Sequence, residues 1–129
     1  MSLKQFISKT PITCEPSNSI KEAASIMRKN NVSSLVLFNG KYPVGIVTER
    51  DITRAVADGI DLNKPVESIA SKNVISIDSS KNVLDAAVLM KTHGIRHLLV
   101  LDGEKLIGVL SQRDISDALS VMMMEELTY

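Results

Sequence analysis

Gly45-Ile46-Val47-Thr48-Glu49-Arg50-Asp51 returns 63 residues later as Gly108-Val109-Leu110-Ser111-Gln112-Arg113-Asp114. In each, an apolar run that reads as a strand gives way to a hydroxyl residue with an aspartate three positions on, which reads as the start of a helix. The correspondence extends outward without a gap, pairing residues 3–56 with 66–119. Fourteen of the 54 paired positions are identical, among them Ser8/Ser71, Lys9/Lys72, Ile12/Ile75, Met27/Met90, Gly45/Gly108, Arg50/Arg113 and Asp51/Asp114. A unit of this size hides only about 60 % of its unfolded surface, so the two copies are expected to pack together about a pseudo-two-fold axis. Such packing leaves clefts faced by the duplicated residues.

Each copy reads as strand, helix, strand, strand, helix. Ile12-Thr13-Cys14 and Ile75-Ser76-Ile77 alternate like short strands. Ser19 stands three residues before Glu22, a capping box, and Ile20, Ala23, Ala24 and Met27 then follow at helical spacing. Asn82 and Asp85 open a looser version of the same helix in the second copy, ahead of Val83, Ala86, Ala87 and Met90. Leu35–Phe38 and Val44–Val47, joined through Asn39-Gly40, predict a hairpin, as do Leu98–Leu101 and Leu106–Leu110 around Asp102-Gly103. The expectation is an α/β (α+β) chain with copies at 3–56 and 66–119, a connector at 57–65 holding Gly59 and Pro65, and a helix end or tail at 120–129.

Composition narrows the function. Fifteen basic and fifteen acidic residues cancel, which argues against a general nucleic-acid surface, and Phe6, Phe38, Tyr42 and Tyr129 are too few aromatics for base stacking. No apolar run approaches the roughly 20 residues of a membrane span, and the first residues lack a signal-peptide pattern, so a cytoplasmic protein is expected. Cys14, the single cysteine, aligns with Ile77 and reads as a small buried hydrophobe. His93 and His97 have helical spacing, but Gly94 lies between them and His97 opens a strand, so no metal site is assigned. No catalytic constellation is present; an enzyme acting on nucleotides would need a paired acid and base or a metal cluster.

The repeated strand-to-helix unit admits two readings. Thr48 and Ser111 serve as helix N-caps, with Asp51 and Asp114 favouring the positive end of the helix dipole. The same geometry also suits a nucleotide: free amides at a helix start for phosphate, and a carboxylate for the paired hydroxyls of a ribose. Gly45 and Gly108 then mark places where a flat ligand or another backbone comes close. Arg50 and Arg113 read as salt-bridge or dimer contacts, and Met122-Met123-Met124 as a packed or frayed helix end.

Nearly the whole chain resembles a tandem pair of CBS domains, the repeats that form a Bateman module, of the stand-alone prokaryotic or archaeal type. The carriers are the element order, the doubled Gly-hydrophobic-hydrophobic-Thr/Ser-x-x-Asp signature and the run Gly94-Ile95-Arg96-His97-Leu98-Leu99-Val100. The resemblance implies a regulatory module, without catalysis and with no required cofactor, that binds AMP, ADP, ATP or S-adenosylmethionine between the repeats. It implies a homodimer that passes its signal to an unidentified protein target.

Carried over by position, one site takes Thr48 and Asp51 for phosphate and ribose, with Ile46, Asn73 and Ile75 near the base and Ile95, Arg96 and His97 towards the phosphates. The other takes Val109, Ser111 and Asp114 with Thr10, Ile12, Val32 and Ser33. Ser33 and Ser34 replace Arg96 and His97 in the first copy, so the Asp51 site is expected to be the tighter for nucleotides. The competing expectation is a dimeric interaction scaffold whose clefts are vestigial.

Overall fold

The computed structural model describes residues 2–7 and 10–127. Ser8, Lys9 and Tyr129, which entered the sequence reading, lie outside the described residues, as do the last two positions of the expected tail. The chain is α+β and divides into two compact units, Pro11–Val74 and Met1–Thr10 with Ile75–Tyr129.

Within the first unit, β1 (Thr13–Cys14), α1 (Ile20–Asn30), β2 (Ser34–Phe38), β3 (Pro43–Thr48) and α2 (Glu49–Ala57) follow in order. The sheet runs β1-β2-β3, parallel then antiparallel. The second unit repeats this with β4 (Ser76–Asp78), α3 (Val83–His93), β5 (His97–Asp102), β6 (Lys105–Ser111) and α4 (Gln112–Leu127), its sheet ordered β4-β5-β6. The two hairpins carry register shifts at equivalent places, Leu37/Phe38 and Val100/Leu101.

Local chemistry sets the helix limits. Ser19 and Glu22 close a reciprocal capping box at 2.9 Å each way, and Asn82 and Asp85 close the second. α1 ends on Asn31 in the left-handed region (φ 51°) and α3 on Gly94 (φ 61°). That cap separates His93, in the last turn of α3, from His97 at the start of β5.

The compact units do not coincide with the sequence copies, because each copy's opening segment packs in the other unit. Leu3 begins a 3-10 turn (Leu3–Phe6), is fully buried in the second unit's core, and donates its N–H to the Lys81 carbonyl at 2.8 Å. Its counterpart Val66, in the 3-10 turn Val66–Ser68, is fully buried in the first unit's core and donates to the Asn18 carbonyl at 2.7 Å. Each such side chain contributes roughly 1.5–3 kcal/mol of apolar burial. The remaining cores are the alanine-lined helix faces against the sheets: Ala23, Met27, Leu35, Leu37 and Val47 in one, Ala86, Met90, Leu98, Val100 and Leu110 in the other.

Candidate ligand-binding carboxylates at two helix heads

At the head of α2, Asp51 Oδ2 accepts from the Thr48 N–H at 2.9 Å and from the Thr48 hydroxyl at 3.1 Å, and the Asp51 N–H returns to Thr48 Oγ1 at 3.3 Å. The head of α4 copies this, with Asp114 Oδ2 accepting from the Ser111 N–H at 2.8 Å and its hydroxyl at 3.0 Å, and the Asp114 N–H reaching Ser111 Oγ at 3.2 Å. A single oxygen of each carboxylate therefore makes the cap. Oδ1 has no hydrogen-bond partner among the described residues and keeps its capacity to accept.

The expected row of free amides is not found. The Glu49 N–H donates to the Ser33 carbonyl and the Gln112 N–H to the Arg96 carbonyl, both at 3.0 Å. With Thr48, Asp51, Ser111 and Asp114 closed in the capping boxes, Arg50 and Arg113 supply the amides left open at the two heads. The helix heads are thus built to offer a carboxylate oxygen rather than an anion cradle.

Asp51 is half-buried while Asp114 is exposed. The first unit holds Ile12, Val32, Ser33, Ile46, Thr48, Asp51 and Asn73; the second holds Thr10, Ile75, Ile95, Arg96, His97, Val109, Ser111 and Asp114. Each predicted constellation therefore draws on both units. Within each unit the hairpin register brings the loop after its first helix to the helix head: Ser34 lies opposite Thr48, and His97 opposite Ser111. Ser33 and Arg96 touch those heads through their carbonyls, while their side chains are exposed. Thr10 and Asn73 are exposed, and Ile12, Val32, Ile75, Ile95, His97 and Val109 half-buried. Ile46 is buried.

The two glycines have separate causes. A Cβ on Gly45 would lie 3.0 Å from the Ser71 carbonyl oxygen, where Ile46 and Ser71 exchange backbone hydrogen bonds at 3.0 and 2.9 Å. Gly45 therefore admits a backbone. A Cβ on Gly108 would run into the Ile7 side chain, 2.9 Å from its Cγ2, so Gly108 admits a side chain.

In the second unit a cavity of about 400 Å³ lies beside the α4 head, lined by Val109 and Asp114 of the predicted residues, with Leu3, Phe6, Ile7 and Asp117. Ser111 and Thr10 are not among its walls. In the first unit Val32 and Ser33 line a groove of about 630 Å³ with Glu49 and Ile52.

Cys14 is buried, and burial pushes its thiol up to about 11, which leaves it protonated and inert near neutral pH. Arg50 and Arg113 are exposed and form no ion pair among the described residues, so the salt-bridge expectation is not met there. Among the described residues, no group of three or more His, Cys, Asp or Glu is placed to hold a metal ion, and no helix is long and apolar enough to cross a membrane.

The fold has close parallels among solved structures. The chain is similar to the CBS domain protein PAE2072 from Pyrobaculum aerophilum, complexed with AMP, at 35 % identity and TM-score 0.80, covering 94 % of this chain and 99 % of that one. It is similar to the CBS domain pair of protein MJ0100, in complex with 5′-methylthioadenosine and S-adenosyl-L-methionine, at 31 % identity and TM-score 0.81, covering 95 % and 98 %. A 17.7 kDa protein of Acidianus ambivalens is 39 % identical over 107 residues, 81 % of this chain and 65 % of that protein's length. The CBS domain family matches twice, over residues 3–58 and 66–121, and the chain belongs to that family.

Proposed function

We propose that this chain is a regulatory module that binds adenosine-containing ligands, AMP, ADP, ATP or S-adenosylmethionine, through the carboxylates of Asp51 and Asp114. The observation that carries the reading is the division of labour within each carboxylate: Oδ2 holds the helix cap, and Oδ1 is left to accept from a ribose hydroxyl. The AMP in the PAE2072 complex and the 5′-methylthioadenosine and S-adenosylmethionine in the MJ0100 complex support the ligand class. Thr48 and Ser111 hold each carboxylate in one orientation, so little side-chain freedom is lost on binding.

Arg96, placed by the Gln112 bond to its carbonyl, has an exposed guanidinium suited to paired, charge-assisted bonds with phosphate. In this reading the Asp51 site, with Ile46, Thr48, Asn73, Ile75, Ile95, Arg96 and His97, prefers nucleotides over the site of Asp114. The module requires no cofactor, catalyses nothing itself, works as a homodimer, and acts on a target protein. A ligand changes that output by binding one conformation more tightly than another.

One observation favours a second reading, a scaffold without ligand. The capping boxes alone account for the position of Asp51 and Asp114. A thermal-shift screen separates the two, since a ligand at 100 times its dissociation constant adds about 2.7 kcal/mol of stability. The sensor reading expects a raised midpoint with at least one of AMP, ADP, ATP or S-adenosylmethionine; no shift with any of them supports the scaffold.

A further inference from the structure

We infer that the cavity beside Asp114 selects adenosine ligands whose 5′ substituent is a thioether or a sulfonium over those bearing a 5′-phosphate, an inference that rests on the adenosine-binding reading above. At about 400 Å³ the cavity falls in the size range of small-ligand sites, roughly 300–1,000 Å³. Its walls are mainly apolar, with Leu3, Phe6, Ile7 and Val109 on one side and Ile115 and Val121 along α4. The charged groups are Asp114 and Asp117, one helical turn apart, and no Lys, Arg or His lines the cavity among the described residues.

That charge pattern is particular to this copy. Asp114 aligns with Asp51, but Asp117 aligns with Arg54, so the corresponding turn of α2 carries a carboxylate and a guanidinium where α4 carries two carboxylates. Asp114 and Asp117 are both exposed, so a phosphate brought against them beside the apolar wall meets like charge that solvent screens in part. A thioether instead gains contact with the aliphatic walls and the Phe6 ring, and a sulfonium adds attraction to both carboxylates and to the ring face.

The test is isothermal titration of the full chain carrying Asp51→Ala, where the cavity is the remaining carboxylate site, with 5′-methylthioadenosine, S-adenosylmethionine and AMP. The expected order is both sulfur ligands tighter than AMP. Adding Asp117→Arg is expected to weaken S-adenosylmethionine about ten-fold and to strengthen AMP. AMP binding as tightly as the sulfur ligands, or no change in preference with Asp117→Arg, overturns the inference. A wild-type chain that binds AMP but neither sulfur ligand overturns it alone; one that binds none of the three removes the adenosine reading as well.

Discussion

Gly45 lies against the backbone of Ser71 so closely that a Cβ at that position would stand 3.0 Å from the Ser71 carbonyl oxygen. The obstacle is main chain, held by the paired hydrogen bonds of Ile46 and Ser71, and cannot rotate aside. Gly45→Ala is therefore expected to cost about 1–3 kcal/mol, read as a lower urea midpoint with an unchanged slope. At Gly108 the obstacle is the Ile7 side chain, so the cost of Gly108→Ala is expected to fall when combined with Ile7→Ala. Additive losses at Gly108 and Ile7 would contradict the contact.

Leu3 gives a second prediction because it looks like the loose start of a chain and is a core residue. Its side chain is fully buried among Val83, Val100 and Ile115, and its N–H is bonded to Lys81. Leu3→Ala is expected to lose about 2–5 kcal/mol, comparable with Val66→Ala at the equivalent position. A change within about 0.5 kcal/mol, as at an exposed site, would contradict the exchange of opening segments.

Acid sensitivity follows from two carboxylates. The Ser19 backbone N–H, followed by its hydroxyl, holds Glu22 below its usual value; the Ser80 hydroxyl, followed by its N–H, does the same for Asp78. Both bind a proton less readily folded than unfolded, so their contribution is complete above the unfolded value of about 4 and is lost as the pH falls through the lowered folded values. Both groups are fully exposed, which keeps the effect small. Glu22→Gln and Asp78→Asn are expected to flatten the fall in the urea midpoint below pH about 5, which titrating urea melts from pH 7 downward would reveal. A steeper fall in either variant would reverse the sign.

Element type was legible because capping, periodicity and turn residues agreed at each step: Ser19 with Glu22, Asn82 with Asp85, and Asn39-Gly40 at the hairpin all sit where their chemistry predicts. The opening 3-10 turns were missed. Leu3 and Val66 are apolar at paired positions ahead of each first strand, a signal in the repeat itself, but short turns have no periodicity to reveal which unit they join. The helix heads were half legible. Spacing gave the Thr48–Asp51 and Ser111–Asp114 caps, whereas the loss of the Glu49 and Gln112 amides to the Ser33 and Arg96 carbonyls depends on hairpin register that no local pattern encodes. The cavity beside Asp114 depends equally on the placement of Phe6 and Ile7, which is tertiary.

The most direct measurement is isothermal titration of AMP into the wild-type chain and into Asp51→Ala, Asp114→Ala and Arg96→Met, the last leaving both helix caps intact. A dominant role for Asp51 predicts that Asp51→Ala and Arg96→Met each weaken AMP about ten-fold or more, while Asp114→Ala changes it little. Equal losses from the two aspartates, a larger loss from Asp114→Ala, or AMP affinity indifferent to all three substitutions would contradict it.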